Sequence, residues 1–150
     1  MHGPTQALQV VGNITTSGYL KTGGNYAFSA HCNTTSTTAT TTSDGGVLRF
    51  NVVTYDLGSC FNTATYSYLV PITGMYIFSA NCFGNNGASC VITVGTATAM
   101  SQQNLHSSVG AISVCTIYQC TAGQYVKVTS YNGYLDNANT NFNGCLLFAT

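Results

Sequence analysis

Histidine and aspartate are the residues of this chain best suited to acid–base chemistry, and the chain contains three of each. They are His2, His31, His106, Asp44, Asp56 and Asp136. A catalytic triad would need a histidine and an acid beside a nucleophile, yet no Gly-x-Ser-x-Gly or similar segment presents a serine on a sharp turn. There is no glutamate, and Asp136 in LDNANTN is typical of a turn, so paired carboxylates for glycoside hydrolysis are nearly excluded. The sequence therefore predicts that the protein is not an enzyme.

Seven cysteines form the second set with chemical potential, and their odd number leaves at least one thiol unpaired or paired between chains. None forms a Cys-x-x-Cys pair and no Cys/His spacing resembles a zinc site, so no metal site is predicted. Two states stay open: several disulfides in an oxidising compartment, or buried apolar thiols in a reducing one. Cys82 and Cys90 flank the segment FGNNGAS at positions that would face each other across a hairpin, and they are the candidate disulfide.

Charge is scarce, at 4% of residues and a formal net charge of zero. A nucleic-acid-binding protein needs several cations to displace phosphate counterions, and three Lys and Arg residues cannot form such a patch. No acidic cluster exists to hold calcium, and no cofactor is predicted. No run approaches the ~20 apolar residues of a membrane span, and MHGPTQALQV does not resemble a signal peptide, so membrane insertion is not expected.

Tyrosine and asparagine concentrate near the segment YVKVTSYNGYLDNAN. Tyrosine offers a flat apolar face with a hydrogen-bonding tip, which suits recognition of sugars or proteins. Tyr125 is interpreted as an ordinary strand residue. The predicted binding residues are Tyr131, Asn132, Tyr134 and Asn137. Asn13 and Asn33 lie in Asn-x-Thr sequons, which would carry glycans only in a secretory protein.

Two parts of the chain differ in pattern. Residues 1–25 alternate short apolar pairs with Gly, Asn and Thr turns, which predicts the end of a stalk or a linker, with a flexible tail as the alternative. The chain is 45% hydrophobic. Residues 26–150 show about eight to ten short strands with turn signals every 8–12 residues, and no sustained helical periodicity. This part is therefore predicted to be one all-β sandwich or barrel domain, with the Thr/Ser stretch NTTSTTATTTSDGG as a loop or edge strand.

Two of the predicted strands are apolar on both faces. In GMYIFSA, Tyr76 and Phe78 share one face while Met75 and Ile77 share the other. The closing strand CLLFAT also has apolar residues on both faces. Such a strand cannot leave one face in water, so the second face is expected to meet a neighbouring subunit. A large core within one chain is the alternative.

Four segments in order resemble the globular head domain of complement C1q, a relative of tumour necrosis factor. They are AFSA with FNVVTYDLGSCFN, then YLVPITGMYIFSA, CTAGQYVKVTSY and NFNGCLLF. The resemblance covers residues 26–150 and implies a ten-stranded jelly-roll sandwich that forms a homotrimer. It implies turn, core and trimer-packing roles for Pro71, Gly74, Tyr76, Phe78, Gly123, Val126, Phe142, Gly144, Leu146 and Leu147. The chain departs from the family at Gln124, where aspartate is common, and it has no counterpart of the calcium-binding acids of some members and no collagen-like stalk.

The segment GNITTSGYLKTGGNYAFSA also resembles the shaft-to-tip junctions of virus and phage fibre proteins. The resulting hypothesis is a receptor-binding or attachment knob of a virion fibre, located at the virion surface and contacting a glycan or protein receptor of the host. The first alternative is a secreted, extracellular complement- or cytokine-like trimeric ligand. The second is a purely structural knob that only nucleates trimer folding.

Overall fold

A computed structural model describes residues 26–33, 39–40, 46–84, 87–103, 110–131, 134–135 and 140–150, with the backbone alone at 39, 40, 103, 131, 134 and 135. These residues form thirteen strands and no helix. The strands are β1 (Ala27–His31), β2 (Ala39–Thr40), β3 (Gly46–Val47), β4 (Val52–Leu57), β5 (Phe61–Asn62), β6 (Ser67–Leu69), β7 (Gly74–Gly84), β8 (Ser89–Val94), β9 (Ala97–Gln103), β10 (Gly110–Cys120), β11 (Tyr125–Tyr131), β12 (Tyr134–Leu135) and β13 (Asn141–Ala149).

The strands make two antiparallel sheets that pack face to face. The seven-stranded sheet has the order β2-β12-β7-β13-β1-β4, and β10 also pairs with β7. The six-stranded sheet has the order β5-β6-β11-β8-β9, and β3 also pairs with β11. Most neighbours are distant in sequence, as in a jelly roll. The prediction of an all-β jelly-roll sandwich is confirmed.

Side-chain alternation along β7 shows how the sequence divides between core and exterior. Its residues alternate between buried and half-buried from Gly74 to Gly84, so every second side chain points between the sheets. The core is rich in aromatic rings around Phe28. The ring of Tyr68 stacks 4.5 Å from Phe28, Phe61 stacks at 5.1 Å, and Phe142 meets it edge-on at 4.8 Å. These ring contacts hold the inner faces of the two sheets against each other.

The predicted hairpin was wrong and two further segments differ from their sequence pattern, although the fold class was right. FGNNGAS does not close a hairpin, because β7 and β8 belong to different sheets. YVKVTSYNGY is not one strand, because β11 lies in the six-stranded sheet and β12 in the other. β9 was not recognised in TATAMSQQ. Alternation tells which residues share a face, but it carries no information about which sheet a strand joins.

The Thr/Ser stretch was expected to be a loop or an edge strand. Within it, β2 pairs with β12 at the edge of the seven-stranded sheet. Residues 1–25, predicted to be a stalk end or linker, lie outside the described residues. None of the described segments is a helix apolar and long enough to cross a membrane.

Candidate functional site

The side of the seven-stranded sheet that faces away from the core is the candidate site, and it is called the outer face below. β7 runs through its centre and projects Met75, Ile77, Ser79 and Asn81 outward, opposite to the buried residues of the same strand. Each of these residues has a partner on the neighbouring strands, so that outward-facing side chains form rows across the sheet. Ile77 pairs with Ile117 on one side, for example, and with Cys145 on the other. The outer face is thus built by strands that are far apart in the sequence.

One end of the outer face is apolar and open. Ile117 is 56% exposed, Leu57 is 51% exposed, Tyr55 is 48% exposed and Phe148 is 58% exposed. Leu57 joins the Ile77 row through Ala27, and Phe148 lies opposite Met75. Contiguous apolar side chains of this kind mark interaction surfaces, whereas isolated ones are normal.

A shallow cavity of about 180 Å³ lies in the middle of the outer face. It is lined by Tyr55, Ile77, Ser79, Cys115, Asn143, Gly144 and Cys145. The lining combines aliphatic, phenolic and thiol groups with one serine hydroxyl and one amide, and none of these groups carries a fixed charge. Such a depression suits an apolar side chain of a partner better than a charged ligand.

The opposite end of the outer face is polar. Asn141 accepts hydrogen bonds at Oδ1 from Nδ2 of Asn81, at 3.1 Å, and from Nδ2 of Asn143, at 3.0 Å. The amides therefore hold one another across β7 and β13. They give this end a fixed pattern of donors and acceptors beside the apolar end.

The six-stranded sheet exposes apolar residues on its outside too, but fewer. Tyr125 is 50% exposed and Leu69, its partner across β11 and β6, is 38% exposed. Neither residue of this pair lines the cavity of the outer face. The pair therefore serves as an internal comparison for the outer face.

Two of the predicted binding residues, Tyr131 and Tyr134, lie at one end of the sandwich. Tyr131 ends β11 opposite Ser89, and Tyr134 begins β12 opposite Gly84. The chain passes from one sheet to the other between these two tyrosines. Asn132 and Asn137 lie outside the described residues, as do the side-chain positions of both tyrosines. Their binding role stays a prediction.

The candidate catalytic residues in the described part of the chain have structural partners. Both carboxylate oxygens of Asp56 accept backbone N–H groups, from Cys60 at 3.1 Å and from Phe61 at 2.8 Å. His31 Nδ1 lies 3.4 Å from the hydroxyl of Thr54. No three His, Cys, Asp or Glu side chains within the described residues are grouped so as to hold a metal ion.

Cys82 and Cys90 are both buried in the core, and as thiols they share a hydrogen bond. That hydrogen bond and the burial of the pair raise the pKa of Cys82 well above its usual range. Cys82 and Cys90 come from different sheets, so the predicted hairpin between them is wrong. The predicted disulfide stays a prediction.

The positions carried over from the family fall into two groups. Tyr76, Phe78 and Phe142 are fully buried within one chain, and Leu146 packs against the same core. Gly74 is buried, Pro71 and Gly144 are half-buried, and Leu147 is 46% exposed. The predicted trimer-packing role of these residues stays a prediction.

Sequence reasoning missed the outer-face residues contributed by β4 and β10. Tyr55, Leu57, Cys115 and Ile117 were not singled out. A signal was present in β10, where both alternating sets of AISVCTIYQC include apolar residues. Alternation alone did not say that the second set would join Ile77 on one surface.

Solved structures of two other proteins have similar folds. The globular domain of zebrafish complement 1qA protein aligns with a TM-score of 0.65 at 19% identity, covering 83% of this chain and 99% of that one. Murine APRIL at pH 5.0 aligns with a TM-score of 0.63 at 11% identity, covering 83% of this chain and 100% of that one. Among curated proteins, no sequence matches this chain. Residues 27–147 match the C1q domain, so the chain belongs to the C1q domain family.

Proposed function

We propose that the chain forms a homotrimer through its outer face and acts as a non-enzymatic recognition head on an extracellular surface. Homotrimers that bind receptors are typical of the family, whose members are recognition modules and are typically extracellular. The observation that carries the proposal for this chain is the open apolar end of the outer face, where Ile117 and Leu57 are each more than half exposed.

The chemistry of the outer face favours a second copy of the chain as its occupant. The described residues that line its cavity are all uncharged, so copies neither repel one another nor need to dehydrate an ion on contact. Apolar area removed from water contributes about 25 cal/mol per Å². The exposed rings of Tyr55 and Phe148 and the exposed aliphatic chains supply that area, while the linked amides of Asn81, Asn141 and Asn143 give the contact a polar margin.

Light scattering tests the assembly. The native chain is expected at three times its 15.7 kDa mass at micromolar concentration. Ile117→Lys should shift the protein to monomers, because it places an ammonium group in the contact. Leu69→Lys is the matched control, since it changes an exposed aliphatic residue on the outside of the other sheet. A native monomer, or a trimer that is insensitive to Ile117→Lys, contradicts the proposed assembly.

The recognition surface is proposed to lie at the end of the sandwich where β11 leads into β12. It includes the predicted contact residues Tyr131, Asn132, Tyr134 and Asn137. Tyrosine presents contact area at low entropic cost, and three copies raise the avidity of a weak uncharged site. Intact trimers are expected to bind glycan arrays or cells. Tyr131→Ala with Tyr134→Ala should weaken that binding tenfold or more.

Tyr125→Ala is the control for the binding experiment, because Tyr125 is an exposed tyrosine at the other end of β11. It should leave binding unchanged. Blank arrays and blank cell-binding assays with a verified trimer would instead favour a purely structural knob.

Two biological settings are compatible with such a head. A receptor-binding knob on a virion fibre is supported by the pattern of residues 1–25 and by the uncharged, Asn- and Thr-rich composition. A secreted complement- or cytokine-like ligand is supported by the family to which the domain belongs. The full-length gene separates them: a long repetitive shaft upstream supports the fibre, and a signal peptide with a collagen-like region supports the secreted ligand.

A further inference from the structure

Two buried cysteines meet across the core of the sandwich. Cys82 belongs to β7 of the seven-stranded sheet, where it lies opposite Ile112 of β10. Cys90 belongs to β8 of the six-stranded sheet, between Ser130 and Gln102. Both are fully inaccessible to solvent, and the two thiol groups are in hydrogen-bond contact. The sheets are therefore bridged at this point by a thiol pair.

We propose that Cys82 and Cys90 form a disulfide that links the two sheets of the sandwich covalently. Both side chains are fully buried in the same core cluster, and they enter it from the two facing sheets. Their thiol groups are close enough to share a hydrogen bond. The pair lies among apolar residues of the core, so bond formation leaves no charged or polar side chain without a partner.

The arrangement of the other cysteines makes this pair distinctive. Cys115 and Cys145 both line the outer-face cavity, but they lie on opposite sides of β7. Two strand spacings alone separate them by about 9.6 Å, and they also lie in different rows, opposite Ser79 and Ile77. A disulfide requires Cα atoms closer than about 7 Å, so these two cannot pair within one chain. Cys60 and Cys120 each direct the thiol to a nearby backbone carbonyl oxygen, of Gly58 and Tyr118.

The chemistry is thiol–disulfide exchange with a small disulfide such as glutathione disulfide as the oxidant. One cysteine, as thiolate, attacks the small disulfide and releases one reduced thiol. The second cysteine then attacks the mixed disulfide, forms the Sγ–Sγ bond and releases a second reduced thiol. The protein loses two protons and two electrons, and the oxidant gains both.

Burial determines when this exchange occurs. An oxidant cannot reach either sulfur in the folded chain, and burial also disfavours the thiolate that must attack. Oxidation therefore takes place during folding or through local opening. Once formed, the bond is protected from reductants by the same burial.

The position of the pair connects it to the proposed recognition surface, and this connection rests on the proposed function. The closed loop from Cys82 to Cys90 contains Gly84 and Ser89, the backbone partners of Tyr134 and Tyr131. A disulfide at the base of this loop would hold both strand ends in place. The existence of the disulfide does not depend on that role.

Thiol counting after refolding tests the proposal. The chain is denatured, refolded in a glutathione redox buffer without oxygen, and assayed for thiols in denaturant with and without prior reduction. Seven cysteines minus the bonded pair leaves five thiols without reduction and seven with it. Intact mass should fall by two hydrogen atoms. Chymotryptic cleavage after Phe83 should give two peptides that separate only on reduction.

Matched variants assign the bond and keep the test independent of assembly. Cys82→Ala with Cys90→Ala should give five thiols in both assays, and Cys115→Ala should give four and six. Ile117→Lys should give the same counts as the native chain even as a monomer, so a failed trimer and a failed disulfide are distinguishable. The oxidised chain should melt about 5–10 °C above the reduced chain.

Three outcomes would overturn the proposal. One is a count of seven thiols in the refolded native chain without reduction. Another is a glutathione adduct on either cysteine in place of the linked peptides. The third is a linked peptide that joins a different pair.

Discussion

Gly144 lies so close to Phe78 that no side chain would fit at position 144. A Cβ atom added at Gly144 would lie 2.6 Å from Cδ1 of Phe78 and 2.7 Å from Cε1 of Phe28. Gly144 lies directly opposite Phe78 across β13 and β7. Because position 144 has no side chain, the rings of Phe78 and Phe28 can pack directly against the backbone of β13.

Gly144→Ala is expected to destabilise the domain by about 1–3 kcal/mol, because ring atoms of two packed phenylalanines must shift to admit one methyl group. Urea denaturation measures the loss. Adding Phe78→Leu should make the effect of Gly144→Ala smaller than in the native background, which is the signature of direct contact in a double-mutant cycle. Strictly additive effects would show that the clash is relieved elsewhere.

Two core tyrosines should respond in opposite ways to loss of the hydroxyl group. Tyr76 donates a hydrogen bond from its hydroxyl to the carbonyl oxygen of Ile72 at 2.8 Å, so Tyr76→Phe should cost about 1 kcal/mol. The buried hydroxyl of Tyr68 has no hydrogen-bond partner among the described residues. Tyr68→Phe should therefore be neutral or stabilise by up to about 1 kcal/mol. Urea midpoints of the two variants, compared at equal concentration, check the order; a larger loss for Tyr68→Phe contradicts it.

Asp56 is expected to stabilise a turn rather than take part in catalysis. Its carboxylate accepts the N–H groups of Cys60 and Phe61, and bonds to a charged acceptor are stronger than neutral ones. Asp56→Ala should lower the free energy of unfolding by about 2–3 kcal/mol. Asp56→Asn retains one acceptor oxygen and should lose less. Equal losses for both variants would mean that the charge, and not the number of acceptors, controls the turn.

Stability is expected to fall in alkaline solution. Burial raises the pKa of Cys120 to about 11 from a usual value of 9.0, and burial also raises the pKa of Tyr76. The folded state therefore retains these protons at a pH at which the unfolded chain releases them, so the stabilisation is complete below pH 9 and is lost as pH rises toward 11. The urea midpoint should be lower at pH 10.5 than at pH 8, measured at one protein concentration.

Cys120→Ala is the matched variant for the alkaline experiment. It removes one of the buried acids, so the difference in midpoint between pH 8 and pH 10.5 should shrink. A native midpoint that stays constant over this range would contradict the role of buried thiols and phenols.

The fold class was accessible from the sequence because it depends on short-range pattern. Tyr76 and Phe78 alternate with Met75 and Ile77, and this alternation predicted which side of β7 fills the core. The same alternation predicted that the other side would be left uncovered, as it is in one chain. Turn residues at regular spacing were enough to indicate short antiparallel strands.

The candidate site was accessible only in part, because it depends on pairing between distant segments. Ile77 was singled out from the sequence, but its neighbours Ile117 and Cys145 come from strands far along the chain. The predicted hairpin between Cys82 and Cys90 was wrong, since each belongs to a different sheet. Nothing in a nine-residue segment distinguishes a turn within a sheet from a crossing between sheets.

The sequence by itself determined that strands form, which side of the central strand is buried, and that charge has almost no part in the surface. Composition and two-residue periodicity act locally, so they can be read from the chain directly. Only the tertiary structure decided that Tyr55 and Leu57 of β4 join Ile117 of β10 on one open surface around β7. The physical reason is that antiparallel register aligns side chains across strands without regard to their separation in sequence.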